Sequence, residues 1–554
     1  MNAPEPPVWP HCARGADPAA NSVGCRGIHV PGHTACLVHL ADADRDLYLA
    51  DLTPGADIDH RGTAFTGSLL GALLSALRDP ITGHPRIGHA RFESATFQDT
   101  TWFAGAVFEG AARFGSTSFQ GHAGFRSVIF MGDAEFASAT FQRTAWFGRA
   151  TFEGTALFAS AIFKKAAWLG AATFLGDARF ESAVFERRVS LGPLVCAGRV
   201  RLSGAMFNAP ASLSIAARRL ECRRTHWIST AEMRLRYATV DFAHAVFEYP
   251  LTIAAEADPF AFPNGQMVAE QVLAHTPDAA VRIASLRGVD AAHLVLADVD
   301  LSACLFAGTV HLDQLRLEGL CAFDEVPLGM HWRRWYPARF TRRRTLAEEN
   351  HWRAKQSHAT RGWNVAVFDT TRVGPAQLAP VYRALRKAFD DSKNEPGAAD
   401  FYYGEMEMRR HDRTSTSRAE RGLLHAYWML SGYGLRALRA LGWLAATMVV
   451  TIALLMGFGL PKQEPRQEAT GIVPPGGGKV IFEVEQTEPQ NPTGNRFTGK
   501  RFEKASNVTL NSVVFRSSGQ NLTTAGAYIE MTSRLAEPAL LALAVLAVRG
   551  RIKR

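Results

Sequence analysis

The sequence predicts a mainly β solenoid that is followed by helices and an apolar C-terminal region. Three observations support this prediction. Large apolar residues recur at steps of five and six, small residues surround them, and residues 440–460 carry no charge. With 554 residues, the chain is too long for one compact core, so several structural regions are expected.

A ladder of phenylalanines is the strongest pattern in the chain. Its steps alternate strictly between five and six, which makes the repeat eleven residues long. The ladder consists of Phe92, Phe97, Phe103, Phe108, Phe114, Phe119, Phe125, Phe130, Phe136, Phe141, Phe147, Phe152, Phe158 and Phe163. It continues through Leu169, Phe174, Phe180 and Phe185 and then becomes less regular.

The step of five or six fits neither the 3.6-residue period of a helix nor the two-residue period of a strand. On a helix, such a series would wander around the surface. The step does fit a coil with several short faces, each of which turns one large side chain inward. Stacked coils would then place each phenylalanine above another and form a continuous core.

Units such as residues 150–158 (ATFEGTALF), and the later stretch 286–308, resemble pentapeptide repeats. The resemblance implies a right-handed quadrilateral β-helix. In the later stretch the central residues would be Leu286, Ala291, Leu296, Leu301 and Phe306, and the preceding inward residues Ala284, Val289, Leu294, Val299 and Cys304. Every second unit of the ladder departs from the five-residue pattern by one extra residue, which we expect to bulge at a corner.

The predicted regions follow one another along the chain. They are an N-terminal Cys/His-containing capping region with two helices (1–89), repeat coils (90–253), an inserted loop (254–280), further repeat coils (281–325), a basic aromatic linker (326–375), a helical neck (376–435) and a membrane region (436–554). Carboxylates of the neck are expected on solvated helix faces: Asp390, Asp391, Glu405 and Glu407.

Potential metal ligands crowd into residues 9–40, which hold three of the seven cysteines and four histidines (His11, His29, His33 and His39). Cys36 and His39 have a spacing that can place two ligands on one zinc ion from a short turn. Cys12 and Cys25 can complete a tetrahedral site, which would be closed and structural. The spacing matches no known finger signature, so solvated histidines and buried free cysteines are the alternative.

Two segments are candidates for membrane spans, at about 440–460 and 529–548. The first is 21 residues long and would measure about 31 Å as a helix, enough to cross a bilayer core. The second includes Glu530, Arg534 and Glu537, which share one helix face and can pair internally. Basic flanks predict that both ends are cytoplasmic and that loop 461–525 lies outside. One span plus an interfacial helix is the alternative.

Between these spans, the sequence faintly resembles the pore-helix, filter and inner-helix order of two-helix cation channels. Residues 502–515 would take the place of the pore helix and residues 516–520 that of the filter. The chain lacks the T-x-G-Y-G run of a potassium filter, and Arg516 would repel cations. A channel-like protein with the solenoid as sensor is therefore the alternative function, without an expectation of cation conduction.

Aromatic and basic residues interleave over residues 330–363, where Trp332, Trp335, Trp352 and Trp363 alternate with arginines. This composition can bind single-stranded nucleic acid or an anionic membrane surface. The apolar segments downstream favour the membrane or packing within the chain.

The function predicted from the sequence is a scaffold for protein–protein interaction on the cytoplasmic side of the cell membrane. The expected partners are an unidentified protein and membrane lipid, with a second copy of the chain as a further option and no nucleic acid.

The sequence has no P-loop, G-x-S-x-G, H-E-x-x-H or dinucleotide fingerprint, and we assign no catalytic or cofactor-binding residue. The N-terminus does not resemble a cleavable signal peptide, and scattered cysteines do not suggest a disulfide framework. Structural zinc is the one cofactor considered.

Overall fold

The computed structural model divides the chain into two compact units, Met1–Phe401 and Tyr402–Arg554, which are treated separately below. It describes residues 6–17, 22–262, 265–275, 278–327, 330–333, 336–339, 342–356, 362–363, 373–462, 467–471, 476, 482–486, 489–491, 494–514 and 519–552.

The first unit is a parallel β-solenoid. Each short strand pairs in register with the strand one coil later, as Ala90 does with Ala112 and Phe97 with Phe119. Both pairs are 22 residues apart, which equals two of the predicted eleven-residue repeats. Strands therefore stack into four columns, and each coil contributes one short strand to each column.

The first column contains Ile58–Asp59, Ala90–Arg91, Ala112–Arg113, Ala134–Glu135, Ala156–Leu157 and Ala178–Arg179. The second contains Ala64–Phe65, Thr96–Phe97, Ser118–Phe119, Thr140–Phe141, Ile162–Phe163, Val184–Phe185, Met206–Phe207, His226–Trp227 and Val246–Phe247. The third contains Thr101–Trp102, Ala123–Gly124, Ala145–Trp146 and Ala167–Trp168. The fourth contains Arg86–Ile87, Val107–Phe108, Ile129–Phe130, Thr151–Phe152 and Thr173–Phe174.

Later coils have longer strands, and two of them, Val189–Arg201 and Ala211–Glu221, join neighbouring columns across the corners. The longer strands are Val189–Arg201, Ala211–Glu221, Ala231–Arg236, Thr239–Asp241, Leu251–Ala255, Arg282–Ser285, Leu294–Ala297 and Arg316–Glu318. The coil also shortens here, because Phe207 pairs with Trp227, which is 20 residues further on. The plain five-residue repeat therefore returns after the eleven-residue section.

The phenylalanine ladder forms the core, as predicted. The rings of Phe97, Phe119 and Phe141 lie one above another with centroids 4.9 Å apart and are nearly parallel. Phe147 is fully buried and stacks on Phe125 in the same way. Burial of one such side chain contributes about 1.5–3 kcal/mol, so the repeated ladder is the main source of stability.

The inward residues predicted for the stretch 286–308 are all buried. Cys304 is among them, and Cys196 is buried at an equivalent inward position of an earlier coil. Both cysteines fill space in the core, as small apolar side chains do.

Parallel pairing begins one coil earlier than the predicted start at residue 90. Ile58 pairs with Ala90, and the ring of Phe65 stacks on that of Phe97 at 5.2 Å. The ladder is hidden in this coil because His60 occupies a core position beside Phe65, where burial lowers its pKa to about 4. Two helices accompany this end, α1 (Asp42–Asp51) and α2 (Gly67–Ala76).

An insertion interrupts the solenoid after Leu251–Ala255, in agreement with the predicted loop 254–280. Its described residues contain one 3-10 turn, Gln271–Leu273, and Phe260 and Leu273 pack in one apolar cluster with Val195 of the solenoid. Parallel pairing then resumes between Thr239–Asp241 and Arg282–Ser285.

Three helices follow the last coils: α3 (Ala347–Ala354), α4 (Pro375–Asp391) and α5 (Glu395–His411). Two antiparallel pairs lie before or beside α3, Asp324–Glu325 with Arg344–Thr345 and Met330–Arg333 with Tyr336–Arg339. The chain therefore changes from parallel to antiparallel pairing where the solenoid ends.

Two adjacent buried glutamates at the start of α3 hold this end of the solenoid. Glu348 accepts hydrogen bonds from the backbone N–H groups of Phe306 and Ala307, at 2.5 and 2.9 Å. Glu349 pairs with Arg343 at 2.5 Å and accepts a hydrogen bond from the Tyr382 hydroxyl. Glu348 thereby satisfies backbone donors that the last coil would otherwise leave unpaired.

The pKa values of these two carboxyl groups shift in opposite directions. Burial raises the pKa of Glu348, which has backbone donors but no ion pair in the described part of the chain. Burial acts on Glu349 in the same sense, but the charges of Arg343 and Arg353 outweigh it and lower the pKa of Glu349. Glu349 is therefore held as a carboxylate.

After α5, the described part of the second unit contains four more α-helices: α6 (Arg418–Ser431), α7 (Ala437–Leu454), α8 (Gly499–Val513) and α9 (Thr524–Ile552). A π-helical turn, Leu455–Gly459, continues α7, and an antiparallel pair joins Gln467–Gly471 with Phe482–Gln486. Segments Ala437–Gly459 and Thr524–Arg549 are each long and apolar enough to cross a membrane.

The second apolar segment, Thr524–Arg549, is longer than the predicted 529–548, and polar residues within it have partners in the chain. Arg534 pairs with Glu530 at 2.7 Å. Glu537 is fully buried and bonds to Thr451 of α7. The pair of Arg534 with Glu530 agrees with the predicted internal pairing, whereas Glu537 bonds to a hydroxyl group and not to a charged residue.

Helices α7 and α9 approach closely at a pair of glycines. A Cβ atom added to Gly526 would lie 2.3 Å from the carbonyl oxygen of Gly459. The side chain of Arg501 in α8 donates to the carbonyl oxygens of Met456 and Leu460 at the end of α7. These bonds satisfy backbone acceptors that a helix end leaves free.

The prediction for the neck carboxylates is correct for Asp390 and Asp391, which are exposed, and wrong for Glu405 and Glu407. Glu405 is 2% exposed and Glu407 is 5% exposed. Glu407 bonds to Arg410 at 2.8 Å and accepts a hydrogen bond from the Tyr433 hydroxyl at 3.0 Å, so it belongs to a buried polar network.

Much of the basic aromatic linker lies outside the described residues, including Trp335, and the side chain of Trp332 is not described. The described part shows packing within the chain. The guanidinium group of Arg353 lies 5.6 Å from the ring of Trp352 and 5.2 Å from that of Trp363.

Candidate metal centre

The four predicted metal ligands are brought together by two short backbone segments near the N-terminus. The first is an antiparallel pairing in which Cys12 N–H donates to Gly27 O at 2.9 Å and Ala13 N–H donates to Cys25 O at 2.9 Å. The second is a turn in which His39 N–H donates to Cys36 O at 2.9 Å. The pairing places two cysteines, and the turn places the remaining cysteine and the histidine.

Glycine is required where these segments meet. A Cβ atom on Gly27 would lie 2.7 Å from Cβ of Cys36 and 2.9 Å from its sulfur. Gly24 has a φ of +64°, which side chains rarely adopt, and a Cβ atom there would lie 2.6 Å from Ala13 O. Both glycines therefore permit the close approach of the ligands.

The ligand atoms of Cys12, Cys25, Cys36 and His39 all lie within 4.8 Å of one another. The Nδ1 atom of His39 is 3.5 Å from the sulfur atoms of Cys12 and Cys36, and the sulfur atoms of Cys25 and Cys36 are 3.6 Å apart. Tetrahedral zinc with bonds of about 2.3 Å to sulfur and about 2.0 Å to nitrogen would separate its ligands by ~3.5–3.8 Å. The cluster can therefore hold a metal ion such as zinc.

The thiol groups differ in their ease of ionisation. Burial raises the pKa of Cys36 to about 12, and the neighbouring Cys25 and Cys12 add to this effect. Burial also acts against ionisation of Cys12, but hydrogen bonds from the backbone at Cys36 and Arg14 outweigh it and lower the pKa of Cys12. The Gly27 N–H donates to the Cys25 sulfur at 3.5 Å.

The remaining histidines of this region are outside the cluster, which contains only His39. His29 bonds through Nε2 to the backbone oxygen of His11 at 2.9 Å. The structure thus selects one of the four histidines, which is the one with the Cys36 spacing.

Residues 92–140 match the family described as pentapeptide repeats, with nine copies. The same segment forms in-register coils with stacked phenylalanines. Residues 92–140 therefore carry pentapeptide repeats, which form coils of the solenoid. No curated protein and no solved structure matches the chain.

The pentapeptide-repeat solenoid has one prominent outward row that sequence reasoning missed. In the third column, Gly124 pairs with Trp102 on one side and with Trp146 on the other, and Trp146 pairs with Trp168. Trp102 and Trp168 are 55% and 46% exposed. The 22-residue spacing between Trp146 and Trp168 was visible in the sequence, but the inward ladder gave no reason to assign these tryptophans to one face.

A surface recess of about 700 Å³ lies on the later pentapeptide-repeat coils. Its lining includes Arg223, Arg224, His244 and Arg287. In this recess Arg223 pairs with Asp241 at 2.7 Å, so this carboxylate compensates part of the positive charge that lines the recess.

Proposed function

We propose that this protein is a membrane-anchored pentapeptide-repeat scaffold that binds other proteins at the cytoplasmic face of the membrane. The observation that carries the proposal is the in-register stack of coils. Over residues 90–174 each coil adds one strand to every column, so outward side chains there form straight rows on a rigid support. Such rows suit recognition of an extended partner surface.

The anchor is assigned to α7 and α9. Their exposed side chains include Val449, Val450 and Leu546, each more than half exposed. Exposed apolar surface of this kind is costly in water and favourable in lipid. The orientation rests on the arginines that precede α7 and the basic residues that follow the apolar part of α9, under the positive-inside rule.

Extraction and reporter fusions test the anchor and its orientation. The full chain should stay with membranes after alkaline carbonate treatment, and removal of residues 436–554 should release it. A topology reporter fused at residue 400 should report the cytoplasm, and one at residue 480 should report the outside. Extraction of the full chain by carbonate would contradict the anchor, and an external reading at residue 400 would contradict the orientation.

Affinity purification of the detergent-solubilised full chain tests the scaffold. We expect a protein partner to co-purify at a fixed ratio to the chain. Failure to recover any protein above a control purification, with and without prior crosslinking in membranes, would contradict the scaffold and leave the anchor standing.

We further propose that Cys12, Cys25, Cys36 and His39 bind structural zinc. The ligand separations that match tetrahedral zinc support this assignment. All four positions of a tetrahedral ion would be taken by the protein, so the ion would stabilise the fold and leave no position for a substrate.

A channel-like protein with the solenoid as sensor is the second candidate. The observation in its favour is the order of helices in the second unit, where the shorter α8 lies between α7 and α9 in the chain and shares an apolar cluster with α7. Most of the predicted filter position, residues 516–520, lies outside the described residues. Ion flux into liposomes that contain the purified chain would support this candidate, and flux equal to that of empty liposomes would contradict it.

A further inference from the structure

The third column of the solenoid carries an exposed row of tryptophans flanked by cations. We define the Trp face as Trp102, Trp146 and Trp168 together with the flanking rows. The flanking rows are the positions two to four residues before and two or three residues after the tryptophan column in each coil. Residues that are 22 apart stack in register here, so each flanking position also forms a row along the solenoid.

Cations predominate in the flanking rows. These rows contain seven of them and two carboxylates. The cations are Arg126, Arg143, Arg149, Lys164, Lys165, Arg187 and Arg188, and the carboxylates are Asp99 and Glu186. The carboxylate of Asp99 already has a partner near the first coil, because it accepts a hydrogen bond from Gly67 N–H at 3.0 Å.

None of these seven cations forms an ion pair with another residue in the described part of the chain, and all but the half-buried Lys164 are exposed. Other outward rows differ in this respect. In the first column, Arg179 pairs with Glu181 at 3.1 Å, and Arg201 lies near Asp177 at 3.4 Å. The Trp face therefore presents positive charge that its own surface does not neutralise.

The rings of Trp102 and Trp146 cover part of each other's faces. The rings of Trp102 and Trp146 are stacked over Gly124, with centroids 5.6 Å apart and planes 4° from parallel, and His122 stacks on Trp146 at 4.9 Å. Ring faces that are covered in this way are not available to stack on nucleic-acid bases, which need an open aromatic face. The exposed parts of Trp102 and Trp168 offer apolar surface together with indole N–H donors.

The indole N–H groups of Trp102, Trp146 and Trp168 have no hydrogen-bond partner among the described residues. By contrast, the buried Trp227 donates to Thr225 at 2.9 Å. The Trp face thus offers a row of free donors beside cations and apolar surface. Carboxylates and peptide carbonyl groups are the acceptors that fit donors and cations together.

We propose that the Trp face binds an acidic peptide segment of a protein partner. The segment lies extended along the row, its carboxylates meet the cations, and its apolar side chains contact the tryptophans. Four coils at about 4.8 Å per coil make a row of roughly 15–20 Å, which five or six extended residues cover. The inference rests on the proposed scaffold function and names the partner's chemistry.

The test is binding of a fluorescein-labelled peptide that alternates glutamate and leucine to the detergent-solubilised full chain, measured by anisotropy. Peptides with glutamine or lysine in place of glutamate are controls. We expect the glutamate peptide to bind at least tenfold more tightly than either control, and high salt to weaken it. Equal binding of the glutamate and glutamine peptides would overturn the proposal.

Three variants locate the site. The double variant Trp102→Ala/Trp168→Ala and the charge reversal Lys165→Glu/Arg187→Glu should each weaken binding at least tenfold. Gly124→Ala leaves every tryptophan in place, but its Cβ would lie 2.4 Å from the Trp102 ring and must displace it, so binding should weaken here too. Unchanged binding in all three variants would contradict the location.

Matched controls lie on other faces. Tyr249→Ala removes an aromatic side chain that is 52% exposed, and Arg113→Glu reverses an exposed cation. Both should bind the peptide as the wild type does, and an equal loss in these controls would contradict the Trp face. Circular dichroism and melting curves show that each variant is folded.

Competition separates the proposal from other ligands and from the scaffold itself. Oligo(dT) or anionic phosphatidylserine vesicles that displace the peptide at lower concentration than unlabelled peptide would overturn the choice of an acidic peptide. A natural partner that co-purifies equally with wild type and the Trp102→Ala/Trp168→Ala variant would refute the Trp face while the scaffold stands. Absence of any partner would refute the scaffold.

Discussion

The hydroxyl group of Thr451 in α7 lies 3.0 Å from Oε1 of Glu537 in α9, and Glu537 is fully buried. The same hydroxyl lies 2.9 Å from the carbonyl oxygen of Thr447. Two helices that the sequence marks as apolar are therefore joined by a polar contact. In a membrane, such contacts fix which faces of two helices meet.

The variant Thr451→Val should weaken the association of α7 and α9 by about 0.6–1.7 kcal/mol, because it removes the partner of a buried carboxyl group. Thermal unfolding of the purified chain in detergent measures the change. Thr447→Val is the matched control, since among the described residues the Thr447 hydroxyl donates only to Trp443 O of its own helix. Equal melting temperatures for Thr451→Val and wild type would contradict the contact.

The variant Phe147→Asp should prevent formation of the central coils. It places a carboxyl group in the fully buried stack that Phe147 forms with Phe125, and an unpaired buried charge costs several kcal/mol. Phe147→Leu keeps the apolar character and should leave the protein folded with a lower melting temperature. Lys165→Asp, at an exposed position, is the control. Circular dichroism of a fully folded Phe147→Asp variant would refute the core assignment.

The purified full chain should contain one zinc ion per molecule by elemental analysis, and Cys36→Ser should lose it because a buried ligand is removed from a closed site. Cys321→Ser is the control, as this partly buried cysteine lies outside the cluster. Metal-free wild-type protein, purified without chelators and grown with added zinc, would show that the cluster only packs the N-terminal region.

The variant Glu349→Gln should lower the stability of the solenoid end at pH 7 by about 3–5 kcal/mol, because it leaves Arg343 buried without its counter-charge. Arg343 and Arg353 hold the pKa of Glu349 below its ordinary value, so this carboxylate stabilises the fold above roughly pH 4.5. The stabilisation is lost as the pH falls through the lowered pKa. The difference in melting temperature between variant and wild type should therefore shrink on acidification.

Glu325→Gln serves as the control for this effect, since its partner Arg342 is 72% exposed and surface pairs contribute little. Its melting temperature should stay close to that of wild type at both pH values. A difference between Glu349→Gln and wild type that grows on acidification would contradict the assigned direction.

The solenoid was predictable because each large apolar residue marks one inward position. The step of five or six residues between these positions fits a multi-faced coil and neither a helix nor a flat strand. The first coil was missed since His60 takes a core position where the ladder expects phenylalanine. Glu405 and Glu407 were predicted to be exposed to solvent. A helical pattern shows on which face of the helix a residue lies, but it does not show whether another part of the chain packs against that face. Here that face packs against residues distant in the sequence, such as Tyr433, which donates a hydrogen bond to Glu407.

The metal cluster was predictable in composition, since cysteines and histidines are concentrated in a short segment. Its closure depends on the pairing that joins Cys12 with Gly27 and on the small size of Gly27, which ligand spacing alone does not reveal. The Trp face could not be found from the ladder, because outward residues do not take part in the inward pattern.

The coil length has a consequence for how this chain can change in evolution. Trp146 and Trp168 are one coil apart, so tandem duplication of a 22-residue segment would lengthen the solenoid and keep every row aligned. Duplication of eleven residues would also preserve the alternation of five and six, and with it the core. It would nevertheless shift all later outward residues by two columns, which is half a coil. The variant would fold as well as the original protein, but each outward row would be split between opposite sides of the solenoid.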